Sequence, residues 1–319
     1  FHRSVDMVLS GGISKNSCII SMGGGVVNNL CGVIAGLLYR GIKLVHITTT
    51  SMGMLDASID FKQAFNHECG KYLIGCYYPA SLIVMDPCVL ESLGPRHTLN
   101  GIAEALKHGL TQSEALVHTI VDPLREHGAA ILTDGQYIED LCKHTIEIKV
   151  PTLTHYHESD FNEMVPQYGH AIAHAIEHLS WHDGRSALLH GEAVAIGMCV
   201  TAEVSFLMDL CDEECVEKHY AYVGWTGLPV YVPADMALDE VMLKMTYDKH
   251  YVKQPTMGLC QAVGVMAPNA KGSFAWSVET DTIRMALERN VQKRRSRREA
   301  DWTPPKVGAA EKQRRFEAN

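Results

Sequence analysis

The sequence predicts an α/β protein in two parts, a front third built on a parallel sheet and a back two thirds that is mainly α-helical. Three short apolar runs, Cys18–Met22, Lys43–Ile47 and Leu82–Met85, are each bounded by Gly, Pro or Thr clusters, as buried strands are. Between the first two lies Leu30–Tyr39, an apolar segment of helical length. Strand, glycine turn, helix, strand is a βαβ unit, whose usual outcome is a parallel sheet. From Leu99 onward strand-like runs become rare and helical spacing takes over.

The elements follow in order. Phe1–Asn16 is an isolated polar stretch without an initiator Met, and it leads at once into the first strand, so the chain reads as the interior of something longer. Gly23-Gly24-Gly25 closes that strand and opens the helix. Its backbone N–H groups suit a pyrophosphate at close range, but a tight turn needs the same glycines and the G-x-G-x-x-G fingerprint is absent. Gly94 and Pro95 mark a boundary, because the residue before proline disfavours helix. Helices are expected around Ile102–Leu110, Tyr137–Ile148, Tyr168–Leu179 and His190–Leu207. The basic run Lys293–Arg298 and Pro304-Pro305 lack apolar periodicity and read as a disordered tail. The division is therefore 1–95, 96–290 and a tail at 291–319.

Composition sets outer limits. The 319 residues are 46% hydrophobic and 20% charged, with a net charge of -9, ordinary for a globular protein. No basic groove for nucleic acid is legible. Ten cysteines without a C-x-x-C pair suggest free thiols in a reducing cytoplasm. No apolar run approaches the roughly 18–20 residues of a membrane span.

The chemistry-bearing residues cluster in the back part. His170, His174 and His178 are spaced by four and share one helix face. Such a face either gathers a cation or carries histidines satisfied by neighbours. A second cluster, Leu189-His190-Gly191-Glu192, opens another helix whose small residues permit close packing. Two histidines from neighbouring helices plus a carboxylate suit zinc with an open position. Glu104 is the candidate carboxylate, with Lys107 one turn away; a surface ion pair is the plainer reading of those two. Lys62, Lys71 and Arg40 fall in turn-rich segments near strand ends, where positive charge suits a phosphate and solvated side chains are common.

Taken together the segments resemble the 3-dehydroquinate synthase-like sugar phosphate cyclases. The resemblance rests on Gly23-Gly24-Gly25-Val26-Val27, Tyr39-Arg40-Gly41, Thr48-Thr49-Thr50, Lys62–Asn66, Gly70-Lys71, Ala103–Lys107, Gly169-His170 through Glu177, and His190–Val194, in the family's order. It implies an α/β NAD-binding domain, incomplete here because the family's first strands and adenosine-side motif have no counterpart before Phe1, followed by a mainly helical metal-binding domain. It implies a homodimer. By the resemblance Glu104, His170 and His190 bind zinc or cobalt. Lys62, Lys107, Lys149, Arg40, His174 and Gln167 fall on catalytic or substrate positions, and Gly24, Gly25, Asn29, Thr49, Thr50, Asp56 and Lys71 on NAD positions. The implied reaction oxidises a ring hydroxyl with NAD, eliminates phosphate, returns the hydride and closes a carbocycle by an aldol step.

Within the family, Lys62-Gln63-Ala64, Tyr77-Tyr78-Pro79 and Asn29 resemble the 2-deoxy-scyllo-inosose synthases, which cyclise glucose 6-phosphate. Where dehydroquinate synthases use an arginine for the substrate carboxylate, Phe161–Val165 offers Glu163. Gln167 and Tyr72 depart from the family's usual residues, and Asp248-Lys249-His250 matches a lysine motif only loosely. The expectation is glucose 6-phosphate cyclisation, with dehydroquinate synthase as alternative. An alcohol dehydrogenase, or an inactive homologue acting as a binding protein, are the readings from other classes.

Overall fold

The structure, a computed structural model, describes residues 1–297 apart from 68–69, 156–157, 182–184, 186 and 248–253, and does not describe the side chains of 66–67, 70–72 and 297. Cys69, Asp248-Lys249-His250, the side chains of Lys71 and Tyr72, and the tail beyond 297 therefore lie outside the described residues.

The front part begins with helix α1 (His2–Ser10), where the sequence reading expected only a polar stretch. Val5 and Val8, three apart, put an apolar stripe of α1 against the small core of Ile34, Ala35, Leu38, Ile42 and Leu44. Strands β1 (Cys18–Gly23) and β2 (Lys43–Thr48) follow, joined by α2 (Gly25–Leu37). Next come the hairpin β3 (Lys62–His67) and β4 (Gly70–Tyr77), then β5 (Leu82–Met85). β1, β2 and β5 form a parallel sheet in that order, as the βαβ pattern predicts. The register sets Ile20 beside Val45 and Leu82, and Met22 beside Ile47 and Val84. These six apolar side chains share one face, and Ile20, Met22, Leu82 and Val84 are 63%, 66%, 56% and 40% exposed.

The hairpin was not foreseen, because Lys-Gln-Ala-Phe-Asn-His mixes polar and apolar residues without a clean alternation. Asn29 ties it to α2: its amide donates to the Gly25 carbonyl, and its Oδ1 accepts from the Ala64 N–H.

The helical part comprises α3 (Pro95–Gln112), α4 (Glu114–His127), α5 (Gly135–Thr154), α6 (Asp160–Met164), α7 (His170–Ser180) and α8 (His190–Leu207). It continues through α9 (Glu213–Trp225) and α10 (Leu238–Met245). Two short ladders intervene, β6 (Thr256–Met257) with β9 (Trp276–Ser277), and β7 (Cys260–Ala262) with β8 (Val265–Met266). The chain described ends in α11 (Thr280–Arg297). Helix α8 is apolar all round and buried without a break from Gly191 to Ser205, as expected of a helix surrounded by α3, α7, α9 and α11.

Two expectations need adjusting. Residues 291–297, read as tail, continue α11, because Arg289 and Lys293 reach the carboxylates of Glu203 and Glu213. The change of character at Pro95 coincides with the start of α3, yet the main core crosses it: Met54, Leu55 and Leu90 pack with the helical residues.

Candidate metal centre

Three helices converge on one point. Glu104 lies in mid-α3, while His170 and His190 are the first residues of α7 and α8. Glycine makes the approach of these helices close. At Gly191 a side-chain carbon would sit 2.1 Å from the Asn100 carbonyl oxygen of α3. At Gly197 it would sit 2.2 Å from the carbonyl oxygen of Gly169, itself at φ 78° before α7. Any larger residue at either crossing pushes a ligand-bearing helix away.

The side chains then meet. One carboxylate oxygen of Glu104 and a ring nitrogen from each of His170 and His190 lie within 4.8 Å of one another. Glu104 Oε1 is 3.2 Å from His190 Nε2 and 3.6 Å from His170 Nε2. His170 Nδ1 lies 3.1 Å from the Tyr168 carbonyl oxygen, which can only accept, so Nδ1 carries the proton and Nε2 of the neutral ring presents a lone pair. His190 Nδ1 likewise faces Glu177 Oε2 at 2.9 Å. Nε2 of both imidazoles and Oε1 of Glu104 thus converge, and Glu104 Oε1 is a buried atom without a hydrogen-bond partner. A cation answers that arrangement, and the donor set of one oxygen and two nitrogens fits zinc or cobalt.

The electrostatics follow from the neighbours. Burial, only partly opposed by Glu104, lowers His170 to about 4. Burial would lower His190 as well, but the Glu177 carboxylate outweighs it and raises this ring to about 9. Burial of Glu104 favours its neutral form; Lys107 and His170 overcome that and hold the carboxyl well below its usual range. Lys107 Nζ sits 2.5 Å from Glu104 Oε2, leaving Oε1 for the centre. The pair expected at a surface is buried: Lys107 is 2% exposed and Glu104 0%.

A second ionic group adjoins the first. Lys149, on α5, places Nζ 2.5 Å from Asp56 Oδ1 and 3.8 Å from Asp60 Oδ2. Asp56 rides on a single π-helical turn, Gly53–Ala57, after β2. His108 Nε2 is 4.0 Å from Asp56 Oδ1. Lys62 opens β3, and its N–H donates to Asp60 Oδ1 at 2.9 Å, which fixes the backbone of the hairpin to this group. His174 lies beside the centre, its ring 5.3 Å from His170 edge-on and 6.2 Å from His190. His178, the third residue of the predicted face, is exposed instead. Gln167, half-buried, ends the turn before Tyr168.

The glycine turn lies across the sheet's carboxyl edge. Gly24 caps α2 with no side-chain hydrogen bond to the first helical amides, so those N–H groups are not taken by a capping residue. The Thr49 N–H donates to the Gly23 carbonyl, and Thr50 packs over Gly24. The adjoining Ser51 hydroxyl bonds the His97 and Thr98 carbonyls at 3.0 and 2.9 Å, linking this edge to α3. Three other expected site residues have partners or positions of their own. Asn29 uses both ends of its amide on Gly25 and Ala64, and Asp56 faces Lys149. Arg40 is exposed, at φ 63°, just before β2 begins, about 17 Å of strand away from the Thr48 end.

Sequence reasoning overlooked the supports. Glu177 sits inside the quoted histidine segment, seven residues after His170, so helical periodicity alone puts it on the His170 face. Arg96 holds Glu192 through two bonds of 2.6 and 2.8 Å, and Glu192 in turn accepts the Leu189 N–H at the head of α8. Nothing in the sequence signals that long-range pair.

Comparison with known proteins matches two families in succession along the chain. The family described as 3-dehydroquinate synthase N-terminal matches residues 1–100, and 3-dehydroquinate synthase C-terminal matches 101–251. A 2-deoxy-scyllo-inosose synthase of Streptoalloteichus tenebrarius is 33% identical over 254 residues, 78% of this chain and 63% of that protein. A 3-dehydroquinate synthase of Pelobacter propionicus is 34% identical over 228 residues, 72% of this chain and 62% of that protein. The chain thus spans a little under two thirds of their length. A crystal structure of 2-deoxy-scyllo-inosose synthase complexed with carbaglucose-6-phosphate, NAD+ and Co2+ superposes with a TM-score of 0.79 at 27% identity, covering 91% of this chain and 78% of that one.

Proposed function

This chain belongs to the 3-dehydroquinate synthase family, and from that premise we propose that it is a phosphate-eliminating sugar phosphate cyclase acting on glucose 6-phosphate to give 2-deoxy-scyllo-inosose. The observation that carries the reading is the buried, unpartnered Glu104 Oε1 facing two imidazole nitrogens. Glu104, His170 and His190 hold a divalent ion, zinc or cobalt. Gly24, Gly25, Thr49 and Thr50 are the NAD contacts at the sheet edge. When bound, the ion supplies Lewis acidity to a substrate hydroxyl and NAD supplies a reversible hydride acceptor.

The protein's own contribution is orientation and charge. Tyr168 and Glu177 fix the ring tautomers, so both Nε2 atoms point inward. Lys107 and Lys149 keep positive charge beside the centre, where a departing phosphate gains negative charge. His174, beside His170, is the candidate for moving a proton to or from that phosphate. The choice of substrate rests on the deoxyinosose synthases among the relatives and on Glu163, which falls in the segment where dehydroquinate synthases use an arginine for the substrate carboxylate. A homodimer in a reducing cytoplasm, acting in antibiotic biosynthesis, completes the proposal.

The test is phosphate release. Chain supplied with NAD and cobalt should liberate inorganic phosphate from glucose 6-phosphate without accumulating NADH. Release only from the phosphorylated precursor of 3-dehydroquinate would move the assignment to that synthase, net NADH would indicate a dehydrogenase, and silence with both sugars would leave a binding protein. His170→Ala should abolish turnover and bound metal together; unchanged metal by elemental analysis would refute the ligand set.

A further inference from the structure

A second group of metal-capable side chains lies at the C-terminal end of α8, beside Ser205, on residues the cyclase reading does not use. Cys211 sits between α8 and α9, Cys215 in the first turn of α9, and Cys260 at the start of β7. Their three sulfurs all lie within 4.8 Å of one another. Zinc–sulfur bonds of 2.3 Å at tetrahedral angles place sulfurs about 3.8 Å apart, so small rotamer adjustments suffice.

The surroundings are those of a built site. Cys215 and Cys260 are buried and Cys211 is partly exposed. The Asp212 carboxylate accepts the Cys215 N–H at 2.8 Å, fixing the first turn of α9. The Ser205 hydroxyl accepts the Cys260 N–H at 3.1 Å and lies 3.4 Å from its sulfur. His219, one turn beyond Cys215, has its Nδ1 on the Cys215 carbonyl at 2.8 Å and its Nε2 on the Tyr168 hydroxyl at 3.0 Å. Both ring nitrogens are engaged, which leaves the imidazole as a support rather than a ligand.

We propose that Cys211, Cys215 and Cys260 form a three-thiolate zinc site, separate from the Glu104 centre, with its fourth position open to solvent. The opening is visible: Cys211 and Cys215 line a surface cavity of about 650 Å³ together with Asp209, Asp212, Glu214 and Lys218. Binding sends the thiol protons to solvent and leaves the ion's fourth position to water. The ion ties the segment after α8 and the head of α9 to β7, closing a loop across positions 211–260.

Cobalt substitution of the reduced full chain tests this without reference to turnover. The expected result is a near-ultraviolet thiolate-to-cobalt charge-transfer band that His170→Ala retains and Cys260→Ser loses, with one equivalent less zinc in each variant. Cys211→Ser, at the partly exposed position, gives the same reading if Cys260→Ser does not fold. Absence of the band in reduced wild-type protein, zinc content unchanged in Cys211→Ser, or a Cys211–Cys215 disulfide in freshly purified reduced-cell extracts would overturn it.

Discussion

Glu177 shows how much a single side chain outside the ligand set can decide. Its carboxylate holds His190 Nδ1 at 2.9 Å, and replacing it by glutamine keeps the shape while removing the charge that makes the ring basic. Glu177→Gln should weaken metal affinity about 10–100-fold in a chelator competition titration while leaving the fold intact. Affinity equal to wild type would mean that Glu177 serves packing alone. Asp56 makes a prediction about acid. Its folded value lies below 3.8, because Lys149 offsets its burial, so its contribution to stability is present above that value and disappears as the pH falls further. Asp56→Asn should flatten the acid limb of a thermal-melt series below about pH 4. At neutral pH it should cost less than the about 3–5 kcal/mol of a wholly unpaired buried charge, since Lys149, 1% exposed, keeps Asp60 Oδ2 at 3.8 Å and the Asp56 carbonyl at 2.9 Å. His170, His174 and His190 stood out in the sequence because spacing by four and a helix-opening His-Gly-Glu are local patterns, whereas the plainer reading of Glu104 with Lys107 was a surface ion pair. The partnership of Lys149 with Asp56 was not legible, since it joins positions 93 apart.

At the level of elements, the centre depends on how closely α7 and α8 cross. Gly197→Ala places a methyl 2.2 Å from the Gly169 carbonyl oxygen, so α7 must shift and carry His170 with it. The expected outcome is about 1–3 kcal/mol of destabilisation by overpacking, with a metal affinity loss larger than the stability loss alone explains. Calorimetry beside a metal titration separates the two, and undiminished affinity would show that the crossing tolerates the methyl. Elements with strong local signatures were readable: β1, β2, β5 and the cores of α3, α5, α7 and α8 all coincide with apolar runs or helical spacing. The β3–β4 hairpin and α1 were hidden because their stability comes from partners. Asn29 anchors the hairpin, and Val5 and Val8 reach a core built by distant residues. The basic end of α11 was misread for the same reason: Lys293 lies within 3.5 Å of acids on both α8 and α9, and composition counts charges without pairing them.

For the molecule as a whole, the parallel sheet and the helices are unequally held. The sheet's own core amounts to Ile34, Ala35, Leu38, Ile42 and Leu44, against a helical core that takes in most of α8. Hydrogen exchange should therefore find the amides of β1, β2 and β5 opening well before those of α8. Equal protection in both regions would argue that they unfold as one unit. The parallel sheet has a further property. Helices normally blanket both sides of such a sheet, whereas among the described residues none covers Ile20, Met22, Leu82 and Val84. In the test tube this oily flank, rather than the melting of any helix, will limit handling. Concentrated samples will scatter light at temperatures where circular dichroism is still unchanged, and ammonium sulfate will bring on the turbidity sooner.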